Sequence, residues 1–297
     1  MLEASHFDVN AAYASVDRHQ LQDFDPYIYR TRDMGRTWQK ITRGLPAGVY
    51  VHVVKEDPQR RGLLVAGTER GIHVSFDDGD NWQPLQLNMP VTSMRDFEFH
   101  GNDLIVATHG RGFWIIDDIS PLRQLGDAIT RDDAYLFKPA DAINYIEGTD
   151  NGTPLQKDEP HAENPPGGAA IDYYLKRAAG TRLTIEILDA SGAVIRTFSS
   201  DPNAQSPGSE QSQSPTGIPR VSPLWQSHPE PLPTTAGMHR VVWNALRERP
   251  RGAPPAGEGG PLDRAYTGNF TARLTVNGRT YTQAFKVNPD PRAIGGG

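Results

Sequence analysis

The 297-residue chain contains no cysteine. That excludes disulfides, thiolate metal sites and cysteine nucleophiles, although it does not identify a compartment. It also holds no run of eighteen apolar residues, so no membrane-spanning helix is expected. A net charge of −6 with interspersed signs leaves no positive face for phosphates, which argues against a nucleic-acid partner. Long amphipathic periods of 3.6 residues are missing. The opening MLEASHFDVN has neither the basic n-region nor the apolar h-region of a signal peptide.

What is abundant is turn chemistry, with 29 glycines and 25 prolines, and the expectation is an all-β chain of short strands. Two stretches are near copies: Thr31–Trp38, TRDMGRTW, and Ser75–Trp82, SFDDGDNW. Each follows an alternating apolar run, turns on Asp-x-Gly and ends on an aromatic that starts another strand. The spacing of 44 residues between Asp33 and Asp77 is a blade-length period. The pattern S-x-D-x-G-x-x-W resembles the Asp-box of the bacterial neuraminidase (BNR) repeat, found in sialidases, xyloglucanases and sortilin-type propellers. In such a box Asp33, Gly35 and Trp38, and Asp77, Gly79 and Trp82, are scaffold. The carboxylate accepts backbone N–H groups, glycine supplies a positive φ and the aromatic packs beneath the hairpin.

The repeat predicts a partial β-propeller over 1–120, with about three blades. Strands are expected at 11–16, 27–30 and 38–41, at 49–54, 63–68, 71–76 and 82–85, and at 94–99, 104–108 and 112–116. Ser5–Asp8 is also read as strand, so the sequence is taken to start inside a repeat array. In the third blade Asp117-Asp118-Ile119-Ser120-Pro121 replaces the box and no fourth strand follows, because Pro121 discourages one. That blade is read as the closing one of a ring, its outer strand supplied from the ring's other end. Three blades leave apolar faces uncovered, so a second chain or self-association is expected to complete the propeller.

For chemistry, the loop Thr108–Trp114, THGRGFW, is the densest stretch. His109, Arg111 and Trp114 are candidate ligand contacts, with Arg111 able to clamp a carboxylate and Trp114 able to stack on a sugar or a peptide side chain. The competing reading makes Gly110 and Gly112 a hairpin turn, Trp114 core and His109 a cap. Asp77, Asp78 and Asp80 lack the spaced oxygens and terminal glutamate of a calcium loop, so no metal or cofactor is read. Catalytic residues are not assigned either: Asp117 and Asp118 point to opposite faces of a strand, which makes a poor acid/base pair.

Residues 121–133 read as a connector with one short helix around 122–129, and 134–290 as a sandwich with disordered insertions near 149–168, 199–220 and 249–261. Asn277-Gly278 between alternating runs is the clearest hairpin signal. LTIEILDASGAVIRTF, GMHRVVWNAL and GNFTARLTVNGRTYTQAFKV resemble the immunoglobulin-like domain of flagellar hook-capping type at the C-termini of secreted bacterial enzymes. The order of blades, THGRGFWIIDD, connector and sandwich resembles the C-terminal part of large bacterial sortilin-like proteins of the "glycosyl hydrolase BNR repeat" type. That resemblance implies a secreted or periplasmic location and a non-catalytic module holding a peptide or carbohydrate. The alternative is a piece of a xyloglucanase- or sialidase-like glycoside hydrolase whose acids lie in other blades. A fragment without function of its own remains the third.

Overall fold

The computed structural model describes residues 1–144, 167–202, 204, 231–247 and 265–291. Most of the three expected insertions therefore falls outside the described residues. The chain forms two compact units, Met1–Gly126 and Asp127–Gly297.

The first unit holds three antiparallel sheets. Strands β1 (Leu2–Ala4), β2 (Ala12–Ser15), β3 (Ile28–Thr31) and β4 (Gln39–Lys40) pair in chain order, as do β5 (Val51–Glu56), β6 (Leu64–Thr68), β7 (Ile72–Ser75) and β8 (Gln83–Pro84). The third sheet has three strands, β9 (Met94–His100), β10 (Asp103–Thr108) and β11 (Phe113–Ile116), with β11 on its edge. These are three propeller blades, the last lacking its outer strand. Ser5–Asp8 is not strand. Asn10 and Asp8 close a polar turn there, through the Asn10 backbone N–H on Asp8 Oδ1 at 3.0 Å, and the strand is Leu2–Ala4.

Two apolar layers join the blades. Tyr13, Ile28, Ile41, Val51, Val54, Leu64, Ala66 and Trp82 lie between the first and second. Val53, Val65, Ile72, Met94, Phe97, Leu104 and Val106 lie between the second and third. Gly67 lets the two inner strands approach, since a Cβ there would sit 2.6 Å from the Met94 carbonyl oxygen. Helix α1 (Ser120–Gln124) follows, pinned by Arg123 Nε on the fully buried Asp57 at 2.9 Å.

Both aspartate turns are knit by hydrogen bonds. The Thr37 backbone N–H donates to Asp33 Oδ1 at 2.9 Å, and that of Asn81 to Asp77 Oδ1 at 2.8 Å. The Gly35 and Gly79 N–H groups donate to Thr31 and Ser75 hydroxyls at 3.0 and 2.9 Å, with φ of 82° and 88° at the two glycines. The tryptophans differ. Trp82 is 5% exposed, its indole N–H donating to the Ile41 carbonyl of the preceding blade at 2.8 Å. Trp38 is 41% exposed and donates to its own turn, on the Gly35 carbonyl at 3.1 Å. Among the described residues, Trp38 thus packs on its own turn and not on a neighbouring sheet.

The second unit opens with helix α2 (Asp127–Arg131), so the connector carries two short helices in place of the one expected, α1 ending at Gln124. Then come β12 (Ala134–Leu136), β13 (Ala142–Asn144), β14 (Ala169–Leu175), β15 (Thr184–Leu188), β16 (Val194–Ser199), β17 (Gly237–Trp243), β18 (Gly268–Val276) and β19 (Arg279–Pro289). One sheet runs β12-β14-β17 and the other β13-β19-β18-β15-β16. Their inner faces share one core in which Trp243 meets Phe270 edge-on at 5.0 Å. This is a two-sheet β-sandwich. Asn277 and Gly278 take φ of 49° and 76°, the left-handed pair that a two-residue hairpin requires.

Candidate binding rim

Two β-bulges create a polar junction in the first unit. Pairing of β5 with β6 jumps from Val51↔Thr68 to Val53↔Gly67, which leaves His52 as the extra residue. In the third blade pairing jumps from Ala107↔Asp96 to Thr108↔Met94, which leaves Arg95 as the extra residue. A bulge turns its unpaired residue out of the pleat, and here both are turned toward each other. The Arg95 guanidinium lies 3.3 Å from His52 Nδ1. On the other side of the ring, His52 Nε2 lies 2.8 Å from Glu69 Oε2 and 3.0 Å from Ser93 Oγ. With a cation on Nδ1, the ring donates its Nε2–H to Glu69.

The first blade contributes the third side. Asp17, just past β2, lies 3.7 Å from His52 Nδ1 and accepts from the backbone N–H of His19 at 3.0 Å. The His19 ring stacks on Tyr50 at 4.7 Å and 22°, Tyr50 meets His52 edge-on at 5.0 Å, and Phe24 tilts against Tyr50 at 6.1 Å. The His52 side chain is 6% exposed, while those of Glu69, Asp17 and His19 are each about a third exposed, at 37%, 30% and 36%. The result is an aromatic and charged rim built from three successive blades.

Electrostatics bind the rim together. Burial acts to raise the Glu69 carboxyl, but hydrogen bonds from His52, Ser93 and Tyr50 outweigh it and hold the group below its ordinary value. Burial likewise acts to raise Asp17, and the hydrogen bonds and charge of His19 hold it down. Tyr50 is pushed up, first by burial and then by its hydrogen bond to Glu69.

The residues singled out in the sequence fall around this rim unevenly. The His109 backbone N–H donates to the Ser93 carbonyl at 2.9 Å, which ties the 108–112 hairpin to the rim. Arg111 sits exposed in the same hairpin. Trp114 is half-buried against the core between the second and third blades, its indole N–H on the Arg111 carbonyl at 3.0 Å. The hydroxyl of Thr108 and the carbonyl of Gly112 close the hairpin at 2.6 Å. Asp33 and Asp77 remain in their turns, away from the rim.

His52, Glu69, Ser93, Arg95 and Tyr50 were not among the sequence candidates. Their signal was an imidazole and a guanidinium at the same repeat position, one residue past Val51 and Met94. A second polar cluster lies between the first two blades, where Tyr13 donates to Glu56 and Asp78, and Arg30 pairs with Asp78 and Asp80, each at 3.1 Å. With Glu56 fully buried, that cluster binds blade to blade. Among the described residues there is no group of three or more His, Asp or Glu placed to hold a metal ion, and no helix long and apolar enough to cross a membrane.

No protein-family model and no curated protein matches the chain. Three similar solved structures are YCF48 bound to D1 peptide, an ancestral GH74 enzyme, and the extracellular domain of the two-component system protein BT4673 of B. thetaiotaomicron. Their identities to this chain are 20%, 12% and 10%, with TM-scores of 0.29, 0.30 and 0.25. The alignments cover 39%, 65% and 89% of this chain and 36%, 26% and 28% of theirs. The chain thus spans about a third or less of each of those structures. Likeness at this level says nothing about what the rim binds.

Proposed function

We propose that the first unit is a non-catalytic binding module that holds a peptide or a glycan on the three-blade rim, in a secreted or periplasmic assembly. The observation that carries this reading is the place of His52. Glycoside hydrolysis needs two carboxyl groups facing each other across a space that admits the sugar and, in inverting enzymes, a water. Asp17 and Glu69 face each other across the His52 ring instead, and both are committed to hydrogen bonds. A stacked His19–Tyr50 surface flanked by Phe24 suits a sugar face or an aromatic or aliphatic side chain. Arg95, Arg111 and His109 offer donors to its polar groups.

Open apolar faces support a scaffold role. Phe113 and Ile115 on the third blade are 79% and 55% exposed, and Leu2 on the first is 68% exposed. Further blades, from a second chain or a second copy, would cover them.

The test is a glycan and peptide array probed with the full chain, alongside reducing-sugar release from the same glycans. The expected outcome is capture without turnover, weakened about tenfold by Glu69→Gln or Tyr50→Ala, the equivalent of one lost charged hydrogen bond or stacking contact. Turnover abolished by Asp17→Asn or Glu69→Gln would replace the reading with glycoside hydrolase chemistry.

A further inference from the structure

We propose that the open edge of β11 is a docking site for an extended peptide strand, independent of the rim. The blade repeat points to this edge. In the first blade β4 lies along β3, and the residue after it, Ile41, donates its N–H to the Ile28 carbonyl at 2.8 Å. In the second blade β8 lies along β7, and Leu85 donates to the Ile72 carbonyl at 2.9 Å. The side chain of Ile41 enters the layer between the first and second blades, and that of Leu85 packs on the layer between the second and third. Each fourth strand is thus two residues long, preceded by tryptophan and followed by an aliphatic: Trp38-Gln39-Lys40-Ile41 and Trp82-Gln83-Pro84-Leu85.

β11 occupies the place of β7. Thr68 and Thr108 close their hairpins in the same way, through hydroxyl and backbone bonds to the carbonyls of Gly71 and Gly112. Ile72 pairs with Gly67, and Phe113 with Ala107 at the corresponding rung. Phe113 therefore stands where Ile72 stands, and its carbonyl faces the side on which Leu85 donates in the second blade. Bonding groups recur every second residue along an antiparallel edge, so Ile115 offers the next set. Among the described residues no strand pairs there. The same residues present apolar side chains beside the vacant edge, where the aliphatic of an incoming strand would lie as Leu85 does.

The occupant is a peptide segment of the pattern aromatic-polar-polar-aliphatic, added antiparallel to β11. Backbone bonds supply affinity and the aliphatic residue supplies selectivity. The probe is a synthetic capped heptapeptide of sequence RTWQKIT, copied from Arg36–Thr42, titrated into the isotopically labelled full chain and followed by amide NMR. The expected result is saturable shifts confined to β10 and β11, Asp103–Thr108 and Phe113–Ile116, weakened about tenfold by N-methylation at the isoleucine of the peptide, which deletes one backbone hydrogen bond. Phe113→Ser is expected to weaken binding by a similar factor while leaving the spectrum of the rest of the chain in place. Absence of shifts at millimolar peptide, equal binding of the N-methylated peptide, or shifts centred on His52 and Glu69 would each overturn the proposal. Failure here leaves the rim reading standing, because its array assay reads Glu69 and Tyr50.

Discussion

Trp82→Ala is expected to cost far more than Trp38→Ala, although both tryptophans close the same motif. An enclosed tryptophan buries about 150–250 Å2, worth about 4–6 kcal/mol at roughly 25 cal/mol per Å2. Trp82, at 5% exposure, loses most of that on truncation and leaves the Ile41 carbonyl without its indole donor. Its loss comes to about 4–5 kcal/mol, in line with measured Trp→Ala costs. Trp38 has 41% of its surface in water already and bonds only its own turn, so about 2.5–3 kcal/mol is expected. The assay is native-state hydrogen exchange at the Val54 and Leu64 amides, both in the layer that Trp82 seals. Their opening free energies report loss of the blade-to-blade layer whatever the second unit does. Equal losses in the two variants would refute the reasoning, because they would mean that the tryptophan acts on its turn rather than on the preceding blade.

Gly79→Ala is expected to cost about 2–3 kcal/mol more than Gly35→Ala. Both take positive φ, but a Cβ at Gly79 would sit 2.4 Å from Ile41 Cδ1, against 3.9 Å to the nearest atom at Gly35. Urea denaturation of the two variants checks it. Arg123→Ala leaves the fully buried Asp57 without its cation and is expected to cost about 3–5 kcal/mol, read as loss of amide protection in 119–124. His73 gives a pH prediction. Burial lowers its pKa from 6.5, and its Nδ1 has no hydrogen-bond partner. The folded state thus favours the neutral ring. Its contribution is fully present above pH 6.5 and shrinks as pH falls below that value toward the lowered folded pKa. Stability measured from pH 8 to 5 should fall less steeply in His73→Phe, and an unchanged slope would refute the assignment.

The elements that could be read from the sequence are those in which one local pattern fixes the geometry. Asp33, Gly35, Asp77 and Gly79 have their partners within a few residues, so composition and spacing suffice. Asn277-Gly278 fixes its hairpin for the same reason. Trp38 shows where this stops: its motif is complete, yet its burial depends on a neighbouring sheet, which is a long-range fact. The rim lies further out of reach. Val51-His52-Val53-Val54 scans as an alternating strand, and alternation places His52 on the face opposite Val51 and Val53. The bulge breaks the period, so that Val51 and Val54 enter one apolar layer and Val53 the other. His52 is left over and meets residues more than sixteen positions away in sequence.

That physics also explains why the second and third blades gather polar chemistry at their bulged ends. A regular rung commits both N–H and C=O to the ladder and sends side chains into a packed layer. A bulge withdraws one residue from both duties. Two bulges at the same repeat position, in adjacent blades, therefore deliver two side chains to one point without weakening the layers beneath, which remain sealed by Val53, Met94 and Phe97. The first blade's β1 and β2 pair without such a shift, and it contributes instead through the 3-10 turn His19–Leu21, whose imidazole reaches Tyr50. Converting the second bulge to a regular rung, by deleting Arg95, is then expected to restore the β9–β10 ladder while removing the cation from His52. Thermal stability should hold or rise and capture on the rim should fall. A deletion that unfolds the third blade would show that the bulge serves packing and not the rim.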